Sequence, residues 1–208
     1  MEKPVAISGT RRALHGVAEL VLAGPQHAQS DTVRLRVVPG GFATTAVPDL
    51  RLIGTSVERG RLRVPVNGAT PRTLAAELGL EARSLEGVYS GGAGVGLDEE
   101  LQIDHEAATL LSRAWSAGDA ALRRLDPDQQ PVLWPEHFDV GISSGEVNYG
   151  VSPGDASIPT PYAYVGPWTV PPADEFWDQP FGAMRLMADL ADSDAVLAFF
   201  EEGRRRAR

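Results

Sequence analysis

The chain has 208 residues, no cysteine and a formal net charge of −9 at pH 7. The absence of cysteine excludes disulfide bonds, thiolate metal sites and a cysteine nucleophile. The acidic charge argues against a nucleic-acid partner, because binding to phosphates requires a basic surface. No apolar run approaches the roughly 20 residues that a membrane-spanning helix needs, and residues 1–4 show no signal-peptide pattern. We therefore expect a cytoplasmic protein that does not contact membranes.

The first third of the chain predicts one helix followed by a group of strands. Apolar residues recur at helical spacing from Thr10 to about Ala23, and Gly24-Pro25 is expected to end this helix. Alternation of apolar and polar residues then predicts a strand at 33–37 and two or three more, at 42–47, 50–55 and 61–66.

A short helix and a glycine-rich connection follow these strands. Thr70 is a suitable N-cap with Pro71 in the first turn, and Gly79 is expected to end the helix. Residues 81–103 are rich in glycine, above all at Ser90–Gly96, and we interpret them as a connection between two halves. A phosphate-binding loop would need lysine and Ser/Thr after its glycines, and this segment has neither, so a nucleotide site is not expected.

The remainder of the chain predicts a long helix, a hairpin and a last helix. Asp104 is a candidate N-cap for a helix that Asp126-Pro127 ends. Alternation in 138–142 and again in 147–151, with a turn at 143–145, predicts a β-hairpin. The last predicted elements are a strand at 162–165 and a C-terminal helix capped by Asp192 or Ser193.

This order of elements favours an α+β protein in which antiparallel sheets are flanked by helices. Residues 1–80 and 104–208 each read as a helix, about four strands and a capped helix, which suggests two similar α-β4-α halves and an internal duplication. The alternative is that an α+β chain shows such similarity by coincidence. In either case we expect the two halves to form one globular unit.

One resemblance to a known family covers the second half and extends upstream. The residues that carry it are Leu133–Asp139, Ser152–Asp155 and Pro161–Tyr164, with the pattern W-P-x-H-F-D, S-P-G-D and P-Y-x-Y. This pattern resembles that of a bacterial, largely actinobacterial, family catalogued only as a domain of unknown function. The resemblance implies a similar fold in a bacterial protein. It implies no activity, so no catalytic residue follows from it.

His137 is the strongest candidate for a catalytic residue. It lies between Glu136 and Asp139, and strand alternation would place His137 and Asp139 on the same face. A histidine oriented by a carboxylate is a common general base. His137, Asp139 and Glu136 are therefore candidate catalytic residues. The alternative is a histidine at the end of a strand that bonds to neighbouring backbone.

Aromatic residues concentrate in the same region and suggest a binding pocket. Such side chains offer flat apolar surface with polar tips, which small-molecule sites use. The alternative is that they form the core beneath the second group of strands. The candidate ligand-binding residues are Trp134, Tyr149, Tyr162, Tyr164 and Trp168.

No pair of histidines has metal-binding spacing, and no cofactor is expected. A metal site would have to be assembled by the fold from His105, His137 and Asp139. We expect a small-molecule binding protein, or an enzyme of unassigned reaction, with its pocket in the second half. The alternatives are a non-catalytic structural or interaction module, homodimeric through its helices, and a metal-dependent hydrolase.

Overall fold

The computed structural model describes residues 4–207, with side chains from residue 7 onwards, so the expectation for residues 1–3 lies outside the described residues. The chain forms two compact units. One comprises Met1–Arg113 and Leu133–Phe138, and the other comprises Ala114–Val132 and Asp139–Arg208. The strand pairings seen in the described part are antiparallel, which confirms an α+β protein with antiparallel strands flanked by helices.

The helices and strands have the following bounds. The helices are α1 (Pro4–Gly16), a π-helical segment (Val17–Ala23), α2 (Gly24–Ser30), α3 (Pro71–Glu77), α4 (His105–Leu125) and α5 (Ser193–Arg206), with a 3₁₀ turn at Met187–Asp189. The strands are β1 (Leu35–Val38), β2 (Gly41–Thr44), β3 (Arg51–Ile53), β4 (Ser56–Arg59), β5 (Leu62–Pro65), β6 (Val132–Trp134), β7 (Asp139–Ser144), β8 (Val147–Ser152), β9 (Tyr162–Pro167) and β10 (Ala183–Leu186). None of the described helices is both long and apolar enough to cross a membrane.

One uninterrupted helical stretch runs from α1 to α2 and changes its register in the middle. In the π-helical segment Val17–Ala23 the turns are wider, and the backbone N–H of Gly24 donates to the carbonyl of Glu19, five residues earlier. The predicted stop at Gly24-Pro25 is therefore wrong. Pro25 lies in the first turn of α2, where a proline is tolerated after the wide turns. The stretch ends at Asp31, whose φ of 52° is left-handed.

In the first unit the strands β1 to β5 form a meander, and β6 pairs with the free side of β1. The sequence pattern does not predict β4, because Val57 is its only apolar residue. The π-helical segment packs against β2 and α3. Helix α3 has the predicted Thr70 cap, which forms a reciprocal capping box with Thr73, and the chain turns at Gly79 with a φ of 70°.

The second unit is built on a four-stranded meander, β7 to β10. The predicted hairpin is confirmed as β7–β8. Its turn lies at Gly145-Glu146 and not at 143–145, where the sequence predicts it. Both turn residues have φ values near 60°, as a two-residue type I′ turn requires. The predicted cap of α5 is confirmed, since the Asp192 side chain accepts hydrogen bonds from the backbone of Asp194 and Ala195.

Helix α4 also begins and ends where the sequence predicts. The Asp104 carboxylate accepts a 2.9 Å hydrogen bond from the backbone N–H of Ala107, and the helix stops at Leu125, before Asp126-Pro127. Two helical glycines allow close packing in the second unit. A Cβ on Gly118 of α4 would lie 2.6 Å from the Val151 side chain, and one on Gly203 of α5 would lie 2.7 Å from Val165.

Both units contain a helix, antiparallel strands and a capped helix, but the first unit holds the six strands β1 to β6 and the second holds the four strands β7 to β10. Along the chain, five strands lie between α2 and α3 and five between α4 and α5, where the sequence predicts about four in each half. Internal duplication stays a prediction. Residues 81–103, predicted as a connection between the halves, belong to the first unit, as does Leu133–Phe138.

The two helical glycines Gly9 and Gly118 provide a matched test of this packing. Gly9→Ala is expected to stabilise the protein by about 0.5–1 kcal/mol, because its Cβ would meet no atom within 4 Å and alanine favours helix. Gly118→Ala is expected to destabilise it by about 1–3 kcal/mol, because the added methyl group would clash with Val151. Urea unfolding measures both. A stabilising effect of Gly118→Ala would contradict the close packing of α4.

Candidate functional site

The predicted catalytic residue His137 lies on the surface. Its side chain is 72% exposed in a turn that precedes β7, and its Nε2 is 3.9 Å from Oε1 of Glu136. Trp134, at the end of β6, is also partly exposed, and the guanidinium of Arg34 lies 5.7 Å from the centre of its ring.

His137 and Asp139 do not share a strand face, so this part of the prediction is wrong. Phe138 lies between them with a left-handed φ of 57°, and β7 begins only at Asp139. Alternation applies within a strand and not across such a residue. Asp139 is buried, and its Oδ2 accepts a hydrogen bond from the hydroxyl of Tyr164 in β9.

Tyr164 lies across two glycines of the neighbouring strands. A Cβ on Gly150 would be 2.4 Å from the Tyr164 hydroxyl oxygen, and one on Gly141 would be 3.2 Å from it. Burial raises the pKa of Tyr164 well above its usual value, and the charge of Asp139 raises it further. The neighbouring Tyr162 donates a 2.8 Å hydrogen bond to Asp155. One oxygen of the buried Asp139 carboxylate thereby receives a hydrogen bond from a hydroxyl group.

The aromatic residues of the second half do not line one common cavity. Tyr149 is 1% exposed and packs edge-on against Phe200 of α5, whereas Tyr164 lies on the opposite side of the strands, over Gly150. Trp168 is 66% exposed, with its Nε1 3.4 Å from Oδ1 of Asn148. These residues divide between a packed core and the surface.

The described residues contain no group of three or more His, Asp or Glu side chains that could hold a metal ion. His105 is exposed at the start of α4, and His137 is exposed in its turn. The candidate ligands His105, His137 and Asp139 therefore do not form the metal site that the sequence analysis considered as an alternative.

A cavity of about 650 Å³ lies in the first unit, between the π-helical segment and residues 84–95. Its wall includes Glu19 and Leu20 from the helix and Tyr89 from the opposite segment. We refer to Ser90–Gly96, which covers one side of it, as the glycine loop. A cavity of this volume is in the range that holds small-molecule ligands.

Glu19 is the central polar residue of this cavity. The residue is 8% exposed, and its Oε2 accepts a 2.8 Å hydrogen bond from the backbone N–H of Ala93 in the glycine loop. Its Oε1 lies under Gly92, where a Cβ would come within 2.5 Å of it and where φ is +100°, so a side chain is excluded there. Burial raises the pKa of Glu19 above its usual value.

The hydroxyl of Tyr89 is buried beside Glu19 and makes no hydrogen bond of normal geometry within the described part of the chain. Burial raises the pKa of Tyr89, and the charges of Glu19 and Glu136 raise it further. The Tyr89 hydroxyl in turn lowers the pKa of Glu19, so the two polar groups face each other at the cavity wall.

The π-helical register positions this wall. All seven residues of the segment Val17–Ala23 are buried. The carbonyl of Leu20 accepts a 3.0 Å hydrogen bond from the backbone N–H of Arg83. Gly24 allows the backbone of Arg83 to come this close, because a Cβ on Gly24 would lie 2.1 Å from the carbonyl oxygen of Arg83. The segment that leads to Tyr89 is thereby fixed to the helix beside Glu19.

Two further contacts hold the glycine loop against α1. Nη2 of Arg12 donates a 2.6 Å hydrogen bond to the carbonyl of Gly94, and the same guanidinium pairs with the carboxylate of Glu99. Val95 packs against Gly16, where a Cβ would lie 2.9 Å from its side chain. The loop is therefore anchored to α1 directly after the Ala93 hydrogen bond.

His15 anchors the segment Leu133–Phe138 near the same cavity. Its ring stacks on Phe138 at 4.9 Å, and its Nε2 is 2.6 Å from the carbonyl oxygen of Pro135. Burial lowers the pKa of His15 to about 4, so the ring is neutral at pH 7. Glu136 lies in this segment, and its charge raises the pKa of Tyr89.

Glu19 and Tyr89 are not among the site residues predicted from the sequence. Glu19 is the one charged residue in the apolar run Val17–Ala23, and this signal could have identified it, because a buried carboxylate is rarely found without a role. Tyr89 gives no such signal, since it follows an irregular segment.

The Tyr164–Asp139 pair yields a prediction about stability. Tyr164→Phe is expected to lower the free energy of unfolding by about 1.5–3 kcal/mol, because the buried carboxylate loses a donor. The matched control Tyr162→Phe loses a bond to the exposed Asp155 and is expected to cost about 0.5–1 kcal/mol. Urea unfolding measures both, and equal losses would contradict a special role for Asp139.

Glu19 yields a prediction about pH. A carboxyl whose pKa is raised by folding favours the folded state at low pH, and this advantage is lost as pH rises towards the folded pKa. Glu19→Gln, which removes the charge and keeps the shape, is therefore expected to raise the unfolding midpoint of the ligand-free protein at pH 7. The gain should shrink below the usual pKa of a glutamate.

Thermal unfolding at several pH values measures this gain. Glu86→Gln is the control, because Glu86 borders the same cavity but is exposed, and it should leave the midpoint unchanged. A lower midpoint for Glu19→Gln at pH 7 would show that the charged form of Glu19 is well compensated.

No protein-family model, curated protein or solved structure matches this chain. The resemblance to a bacterial domain family of unknown function therefore stays a prediction, and the function has to be argued from the chemistry of the site.

Proposed function

We propose that this protein binds a small molecule in the cavity beside Glu19. The observation that carries the proposal is a carboxylate, 8% exposed and without an ion pair among the described residues, at the wall of a cavity of about 650 Å³. A buried charge is normally paired with an opposite charge, because its removal from water is costly. A ligand that enters the cavity would supply the missing partner.

The π-helical segment supports a functional role for this wall. π-Helical turns are rare in proteins and occur often at functional sites. Here the segment has seven residues and contains Glu19 near its start. Insertion of the wider turns changes the direction in which the following side chains point, compared with a regular α-helix. This backbone geometry contributes to the position of the carboxylate at the cavity.

The chemical character of the wall also supports binding. Leu20, Leu85 and Val95 contribute apolar surface, whereas Glu19 and Tyr89 contribute polar groups. Small-molecule sites typically combine a mainly apolar wall with a few polar groups that orient the ligand.

The proposed pocket lies in the first unit, whereas the sequence predicts a pocket in the second half. In the second unit the buried carboxylate of Asp139 already has a hydroxyl donor in Tyr164. The charge of Glu136 raises the pKa of Tyr89, whereas His137 is 72% exposed in its turn.

A blocking substitution tests the proposal. A library of metabolites is first screened against the protein by thermal shift, and the hits are measured by calorimetry. Ser90→Trp, in which a large side chain replaces an exposed serine at the cavity, is expected to weaken binding of the hits by about tenfold or more, a loss of about 1.4 kcal/mol.

Ser157→Trp is the matched control, because Ser157 is also exposed and is not among the residues that line the cavity. It should leave binding unchanged. Equal affinity of a hit for the protein and for Ser90→Trp would place its binding outside this cavity and contradict the proposal.

A further inference from the structure

We infer that the cavity beside Glu19 recognises an organic ammonium ion, that is, an amine with an apolar stem. This inference rests on the proposed function and names the class of its ligand. Its basis is the charge of the lining, the position of the neighbouring basic side chains and the nature of the groups around Glu19.

The titratable side chains that line the cavity are acidic or phenolic. They are Glu19, Glu86 and Tyr89, and the lining contains no lysine, arginine or histidine. Glu136 adds a further negative charge close enough to influence Tyr89. The negative potential of two carboxylates in a partly enclosed space attracts cations and repels anions.

The basic residues that lie close to this region are already paired. The guanidinium of Arg12 binds Glu99 and the carbonyl of Gly94, and that of Arg83 is 2.7 Å from the carboxylate of Glu81. Neither forms an ion pair with Glu19. No cationic group forms an ion pair with Glu19 in the part of the chain whose side chains are described, so a cationic ligand would supply its counter-charge.

The groups beside Glu19 suit an ammonium ion. The N–H groups of the ammonium ion would donate to the Glu19 carboxylate. The aromatic ring of Tyr89, which lines the cavity, would attract the cation through its π-face. The hydrogen bond from Ala93 uses Oε2 of Glu19, so that carboxylate is oriented before a ligand enters. Leu20, Leu85 and Val95 provide surface for an apolar stem.

An inorganic cation fits the site less well. Divalent cations in proteins take several oxygen or nitrogen ligands, and the described residues contain no group of three or more carboxylate or imidazole side chains suited to a metal. The apolar part of the lining would also contribute nothing to the binding of a bare ion.

The test uses three sets of probes with matched stems. Tryptamine, tyramine, cyclohexylamine and cadaverine represent the ammonium class. Their N-acetyl derivatives, acetylated on both nitrogens in the case of the diamine cadaverine, represent neutral molecules, and indole-3-acetate and cyclohexanecarboxylate represent anions. Binding to the full-length protein at pH 7 is measured by calorimetry and by ligand-observed NMR, with Mg²⁺ and Ca²⁺ as further probes.

At least one amine is expected to bind about tenfold or more tightly than its N-acetyl derivative, and the anions should bind more weakly still. Glu19→Gln is expected to abolish the preference for the amine, whereas the exposed control Glu77→Gln should retain it. The comparison of probes in the unmodified protein keeps the test valid even if a variant folds poorly.

The possible failures are distinguishable. Binding of neutral or anionic probes in the cavity, sensitive to Ser90→Trp and without a preference for amines, would overturn the ammonium inference and leave the proposed function standing. Binding of Mg²⁺ or Ca²⁺ with no binding of amines would overturn it as well. If neither these probes nor any member of the metabolite library binds, both the inference and the proposed function are wrong.

Discussion

The burial of the Glu19 carboxylate is the constraint on which the architecture around the cavity depends. Glu19 lies in a helical segment whose seven side chains are all buried, so its charge is largely removed from water. The chain compensates in part with the N–H of Ala93 and the neighbouring hydroxyl of Tyr89. This compensation is incomplete, because the pKa of the carboxyl stays raised. The segments around the cavity are arranged to bring these donors to one side chain.

Glycines make that arrangement possible by allowing backbone to approach the helix. Gly92 leaves room for the Glu19 carboxylate, Gly16 for Val95, and Gly24 for the backbone of Arg83. Arg12 then ties the carbonyl of Gly94 to α1. A loop held in this way on a rigid helix is a frequent location of binding sites, because the scaffold fixes the geometry while the loop supplies the recognising groups.

The second unit also contains a buried carboxylate, that of Asp139, in a different environment. There Asp139 receives a hydrogen bond from Tyr164, whose ring lies over Gly150 because that residue has no side chain. Close approach of α4 and α5 through Gly118 and Gly203 covers the other side of the strands. Asp139 is buried at the start of β7, whereas Glu19 lies at the wall of a cavity. This difference supports the proposed site in the first unit.

The sequence by itself determined the local elements. Thr70, Asp104 and Asp192 predict their helix starts correctly, since a cap needs only a few neighbouring residues, and alternation predicts the β7–β8 hairpin. Tertiary structure alone decided that Gly24-Pro25 continues a helix through π turns and that the left-handed Phe138 separates His137 from Asp139. It also decided that Glu19 meets Ala93, 74 residues away. Such contacts depend on packing between distant segments, which no local spacing of residues encodes.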